Sequence, residues 1–486
     1  MPRLIVILAV ATILAGCAST GHLDTRRSVT PPISLLSVSP DPAFKMGIDT
    51  LLADTLFPPS NIGIKVVSTA TGRVCYALNP DMLFNPASNQ KLVTSATALT
   101  SLGHAFPLRT TVFADTAHAS ICIKGHGDPL LSHDDIDSLA RAVAPQLTGG
   151  KPWRLAVNVS YFDDLPWGAG WTWDEEPSAY GMFISPLILD NNTIAVRVEP
   201  AQRSGDPPVV SCTPPTGYVT VENTAVTVAD TPLTAPLQVS RKWRERSNTI
   251  TVNGQMSLKG RTFTDNLSVW KPELYAGAVF AERLGALGIP VVVATIDTTE
   301  PAGNAIAEYV HLLDTAVTFM NKVSDNLSAE ALLKIVGAEN YRVPGSAELG
   351  ATVARKLLSG WGCDTTGIAI ADGSGLSRYN LISPSAIVLL LQNMARDSAN
   401  FPAFYYSLPI GGVDGTIGRR MTGTPAQGNL RAKTGSLSGV SALSGYVRTA
   451  GGEMLTFSIL LQNFPGTVRP YRQVQDKIGA FLAGWK

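Results

Sequence analysis

Hydrophobic and polar positions give the chain two textures. Between about 101 and 305, apolar and polar residues alternate in short runs: LRTTVFAD, ASICIKG, WRLAVNVSYF, NTIAVRVEP, YVTVENTAVTV and RSNTITVNGQM. They are rich in β-branched residues and punctuated by Gly, Pro, Asn and Asp, which predicts strands. SHDDIDSLARAV and PELYAGAVFAERLGALG interrupt them as helices. From about 306 the spacing becomes helical, in HLLDTAVTFMNKV, LSAEALLKIVG, SAELGATVARKLLSGWG and SPSAIVLLLQNMARD. The last opens with Ser383 as N-cap and Pro384 at the first helical position. Three strands follow, LRAKTGSL, VSALSGYV and MLTFSILLQ, close enough for an antiparallel meander. A final helix sets Val474, Ile478, Phe481, Leu482 and Trp485 on one face, suited to covering a sheet. Upstream, IGIKVVSTATGRVCYAL reads as strand and NPASNQKLVTSATAL as an opening helix. The fold class is α+β.

The opening helix carries an anomaly. From Leu92 through Gly103 no residue is charged, and a helix apolar all round is buried. Lys91 therefore sits out of water, where burial disfavours its charged form. Asn85 caps this helix, Pro86 takes its first position, and Ser88 lies in the first turn, three residues before Lys91 on the same face. A lysine tuned in this way accepts a proton from a serine hydroxyl. The alternative is a snorkelling lysine beside an N-terminal serine.

The N-terminus adds a location. MPRLIVILAVATILAGCAST has one Arg, an apolar run too short for the about 20 residues of a bilayer span, and small residues at its end. LAGC at 14–17 resembles a bacterial lipobox, which implies lipidation of Cys17. Residues 1–17 are then a lipoprotein signal peptide and 18–42, rich in Ser, Thr and Pro, a tether. The expected location is exported, on the periplasmic side of the envelope, anchored to a membrane through Cys17. Cys75, Cys122, Cys212 and Cys363 remain; three pairings or free thiols are open. Over 486 residues, 38 basic side chains balance 38 acidic ones, so no global basic field recommends nucleic acid as a partner.

Two further motifs change the standing of Ser88 and Lys91. SDN occupies 324–326, between two predicted helices, and KTGS occupies 433–436, in the first strand of the meander. S-x-x-K, S-D-N and K-T-G in this order form the signature of β-lactamases and penicillin-binding proteins. GHGDPLL (125–131), DDLPWGAGWTWDEE (163–176), ADGSGLSRYNLISP (371–384), LPIGGVDGTIGRRM (408–421) and LRAKTGSLSGVSALSGYV (430–447) extend the likeness. From about 43 to 486 the chain resembles D-alanyl-D-alanine carboxypeptidase/endopeptidases of the penicillin-binding protein 4 type. His126 departs from it, standing where the family pattern has glycine. The resemblance implies a penicillin-binding/β-lactamase-like domain, an antiparallel sheet flanked by helices, built from 43–100 and 306–486. A large, mostly β insertion of one or two subdomains, 101–305, splits it, matching the 232 residues between Lys91 and Ser324.

The implied substrates are peptidoglycan stem peptides, with β-lactams as covalent inhibitors and no cofactor or metal. Ser88 attacks an acyl carbonyl and Lys91 takes its proton. Ser324 passes a proton to the leaving amine. Asn326 meets the substrate amide, and Lys433 presents a cation to the substrate carboxylate. Thr434 and Ser436 add hydroxyls, and Gly435 clears the strand edge for substrate. Backbone N–H groups of Ser88 and Ser436 hold the oxyanion.

Three rival readings meet the same residues. A class A β-lactamase needs a deacylating carboxylate in ExxLN, and before Leu78-Asn79 that place holds Cys75. A zinc peptidase would use HGDPLLSHDD at 126–135, which reads instead as a turn and a helix start. An inactive stem-peptide scaffold would have no need of intact Ser88, Lys91, Ser324, Asn326 and Lys433.

Overall fold

The structure, a computed structural model, describes residues 41–53, 60–147, 151–229, 232–342 and 344–486. Cys17 and nearly all of the stretch read as a tether lie outside them. Strands β1 (Asn61–Ser68), β2 (Val74–Leu78), β3 (Arg431–Leu437), β4 (Val440–Arg448) and β5 (Met454–Gln462) form an antiparallel sheet in the order β3-β4-β5-β1-β2. The last three strands are the predicted meander. β1 docks on β5 with Asn61 opposite Gln462, closing the early segment onto the late one.

Both faces of this sheet are covered, so β4 is buried along almost its whole length. The period of two sorts its side chains. Ala442 and Tyr446 face a core that includes Phe84, Leu92, Ala96, Leu327 and Ile387. Leu443 and Val447 face Phe44, Ile478 and Leu482. The first face carries α2 (Gln90–Leu102), α3 (Leu313–Val323), α4 (Asn326–Tyr341), α5 (Ala347–Gly360), α6 (Pro384–Arg396) and α7 (Phe401–Ser407); the second carries α1 (Pro42–Leu52) and α8 (Arg469–Gly484). Ser383 caps α6 by accepting from the Ala386 N–H at 3.1 Å. The helix α1 is a departure from the sequence reading. Asp41 caps it, and Phe44 meets the rings of Phe481 and Trp485 at 5.4 and 4.9 Å.

After α2 the chain makes a long excursion. A mixed sheet runs in the order Val291–Asp297, Trp153–Asn158, Ser120–Gly125, Pro107–Asp115, Asn304–Leu312. Helices His133–Val143 and Pro272–Ala286 pack on it through Ile136, Leu139, Val279 and Phe280. Smaller sheets of three, three and two strands complete the region. The helical texture expected from about 306 begins at Leu313, because Asn304–Leu312 is a strand paired with Pro107–Asp115. At this neck the Leu313 N–H donates to the Phe106 carbonyl at 3.0 Å and the Asp314 N–H to that of His104 at 3.1 Å.

Cys75, Cys122, Cys212 and Cys363 are all free thiols. Among the described residues no helix is long and apolar enough to cross a membrane. The histidines of 126–135 have other partners: His133 Nδ1 lies 2.9 Å from Asp190 Oδ2, and the His126 ring packs edge-on against Tyr161 at 5.1 Å.

Candidate active site

Ser88 sits on a 3₁₀ turn, Ala87–Asn89, and α2 proper starts at Gln90. This corrects its expected place in the first α-turn. Asn85 lies just before this turn, whose N-cap is Pro86, and its Oδ1 accepts from the Ala87 N–H at 2.9 Å. Ala87 has a positive φ of 44°, sparsely populated for a residue with a side chain. Two glycines allow the turn to lie where it does. A Cβ on Gly375, itself at φ +83°, would stand 1.8 Å from the Ala87 carbonyl oxygen. One on Gly435 would stand 2.6 Å from that of Pro86. Gly435 thus leaves room for the serine turn.

Lys91 is fully buried. Its amine donates to Ser88 Oγ at 3.0 Å, to Asn326 Oδ1 at 2.7 Å and to the Ser374 carbonyl at 2.7 Å. Three acceptors suit an ammonium, and burial opposes one. Burial prevails over the nearby charges of Asp372, Asp325 and Glu330, and the pKa falls to about 8.

The loop that presents the Ser374 carbonyl is held by two buried acids. Glu330, one turn beyond Asn326 on α4, accepts from the N–H groups of Gly373 and Ser374 at 3.1 and 2.8 Å. Its own pKa is pushed up to about 7 by burial and by Asp372. Asp372 accepts from the Gly375 and Ser377 N–H groups at 2.8 and 2.6 Å and from Trp171 Nε1 at 2.9 Å. Sequence reading assigned neither acid a role. Asp372 lies inside the quoted DGSGLS stretch, and a glutamate within the apolar run LSAEALL was the signal for Glu330.

Ser324 ends α3 in the left-handed conformation, φ 64°. Asp325 caps α4 by accepting from the Ser328 N–H at 2.6 Å. That places Asn326 on the first turn of α4, facing Lys91. Asn326 was expected to meet the substrate amide. Here its Oδ1 accepts a hydrogen bond from the Lys91 amine, and its Nδ2 donates to the Tyr180 carbonyl at 3.0 Å.

Lys433 also departs from expectation. It is fully buried, and its amine donates to Ser324 Oγ at 2.9 Å and the Thr434 carbonyl at 3.0 Å. Burial, then the charge of Lys91, push its pKa well down. An amine so enclosed bears directly on Ser324. Beyond it, Thr434 Oγ1 meets Thr416 Oγ1 at 2.8 Å, and Ser436 Oγ accepts from Arg472 Nη2 at 2.8 Å.

β3 is an edge strand. Its outer side pairs with the 409–411 segment as far as Ala432, whose N–H donates to the Pro409 carbonyl at 3.0 Å. The period of two directs the backbone groups of Thr434 and Ser436 to the same side, where no strand among the described residues covers them. A serine hydroxyl, a buried amine beside it, a second hydroxyl on a second buried amine and an open strand edge thus converge.

This fold and site define a serine penicillin-recognising acyltransferase. The model of the D-Ala-D-Ala carboxypeptidase 3 (S13) family matches residues 44–483, and the chain belongs to that family. It is 34% identical over 484 residues to a D-alanyl-D-alanine carboxypeptidase of an Actinomadura species, covering 93% of this chain and 88% of that one. It is 26% identical over 408 residues to the D-alanyl-D-alanine carboxypeptidase DacB of Haemophilus influenzae, covering 82% and 84%. The crystal structure of penicillin binding protein 4 (dacB) from Haemophilus influenzae shares the fold, with a TM-score of 0.77 at 24% identity over 89% of this chain and 98% of that one.

Proposed function

We propose that the chain hydrolyses the D-Ala-D-Ala end of peptidoglycan stem peptides through an acyl-enzyme on Ser88. The same site opens D-Ala–diamino acid cross-links and is acylated by penicillin. The observation that carries this is Ser88 Oγ at 3.0 Å from the buried amine of Lys91. In its neutral form Lys91 takes the Ser88 proton as the new C–O bond forms. The N–H groups of Ser88 and Ser436 receive the oxyanion. The C–N bond then breaks as the proton held on Lys91 passes through Ser324, itself bonded to Lys433, to the leaving amine, which returns Lys91 to its neutral form. Water, deprotonated by the same base, releases the acyl group. Incubation with defined muropeptides, read by mass spectrometry, tests the reading. Failure to release D-Ala and to label with fluorescent penicillin would favour the scaffold alternative.

The rate of acylation should follow the proton on Lys91. Its pKa is lowered to about 8, so below that pH the ammonium dominates and cannot act as base. The second-order acylation rate should fall about tenfold per pH unit below 8 and level off above it. A flat profile between pH 6 and 9 would identify a different base.

We further assign residues 43–100 and 306–486 to the peptidase domain and 101–305 to an insertion within it, a division supported by the neck between Phe106 and Leu313. The LAGC sequence at 14–17 supports an exported protein held to a membrane by a lipid on Cys17. Cys17→Ser should block processing at this site, leaving a precursor of larger mass. Normal cleavage and release of that variant would refute the anchor.

A further inference from the structure

We propose that Arg472 on α8 receives the terminal carboxylate of the substrate and so sets the preference for a free D-Ala end; this rests on the carboxypeptidase reading above. A chain terminus arriving along the open edge of β3 brings one negative charge past Thr434 and Ser436. The lysine of the KTGS motif cannot meet it in this arrangement. Lys433 is fully buried and its amine is engaged by Ser324 Oγ and the Thr434 carbonyl.

Alternation along β3 separates two environments. Lys433 and Gly435 face the serine turn, where a Cβ on Gly435 would meet Pro86 and Ala87. Thr434 and Ser436 point to the opposite face, which α8 covers. Arg472 comes from that helix, is exposed, and donates one Nη2 hydrogen to Ser436 Oγ at 2.8 Å. A guanidinium has five N–H donors in a planar fork matched to a carboxylate. Most of them stay available, since Arg472 forms no ion pair among the described residues. The neighbouring acid, Asp476, is bound by Arg420 Nε at 2.8 Å, and Arg420 Nη2 also holds the Arg472 carbonyl at 3.2 Å. The other cation at this end of the strand, Arg378, donates to the carbonyl of Ser438, past the motif. Arg472 is thus the solvent-facing cation that touches a KTGS side chain.

The test compares two peptides ending in D-Ala-D-Ala, one with a free carboxylate and one amidated. The measurement is the ratio of their kcat/KM values in wild type, Arg472→Gln, Arg472→Lys, Arg378→Gln and Lys433→Ala. Arg472→Gln should lower the ratio about tenfold, chiefly through KM for the carboxylate peptide. Arg472→Lys, which keeps the charge, should restore part of it. Lys433→Ala, acting through Ser324, should depress both peptides by a similar factor and keep the ratio. An unchanged ratio in Arg472→Gln, or a collapse in Lys433→Ala or Arg378→Gln instead, would overturn the assignment while leaving the hydrolase reading intact. A wild-type protein inactive on both peptides would overturn that reading and the assignment with it.

Discussion

Ser88→Ala is expected to abolish D-Ala release and covalent labelling by fluorescent penicillin together, while the protein stays folded. Both reactions begin with the same bond from Ser88 Oγ to an acyl carbon, so one deletion removes both. Loss of a nucleophile costs roughly four to six orders of magnitude in kcat in serine hydrolases. The structural effect is small by comparison. Lys91 keeps Asn326 Oδ1 and the Ser374 carbonyl as acceptors, and one hydrogen bond contributes about 1 kcal/mol. Intact-mass measurement after exposure to penicillin checks the first part, and thermal melting checks the second. An adduct on the Ser88→Ala protein would place the nucleophile elsewhere.

Lys91→Arg should be nearly as damaging to acylation. Arginine remains protonated at any working pH and cannot take the Ser88 proton. Removing a general base costs about 10²–10⁴ in rate. The larger guanidinium must also enter a site with no exposure at all, so a stability loss accompanies the kinetic one. Lys91→Met separates the two effects. It fits the volume and removes the base, leaving two buried acceptors unsatisfied at about 1–3 kcal/mol each. Acylation of a folded Lys91→Met protein at the wild-type rate, followed by stopped flow, would reduce Lys91 to a structural role.

Features governed by local pattern were legible in the sequence. The uncharged run after Lys91 announced a buried helix, and every residue from Gln90 to Leu99 is buried. Alternation located six strand regions of the excursion, and LRAKTGSL, VSALSGYV and MLTFSILLQ became the meander. The short α1 was not read, because only Phe44 and Ile48 are buried in it and the rings that Phe44 packs on, Phe481 and Trp485, lie more than 400 residues away. Motifs named the residues of the site without fixing what each amine touches. Lys433 was read as a presented cation because a sequence shows a charge and not its depth. Arg472 carried no local signal; its position at Ser436 arises when α8 closes over the sheet.

The neck between Phe106 and Leu313 bears on the order in which the site can assemble. Lys91 and Asn326 are 235 residues apart along the chain, and bringing them together directly would close a loop of that length. Once Pro107–Asp115 and Asn304–Leu312 have zipped, with Leu312 opposite Pro107, the path from one to the other is only about thirty residues. The logarithmic dependence of closure entropy makes the shorter path about 2 kcal/mol less costly. The excursion therefore folds as a side branch whose stem is a tether in its own right. Its length can vary at little thermodynamic penalty to the pairing of Lys91 with Asn326, whereas a break in the stem separates the two.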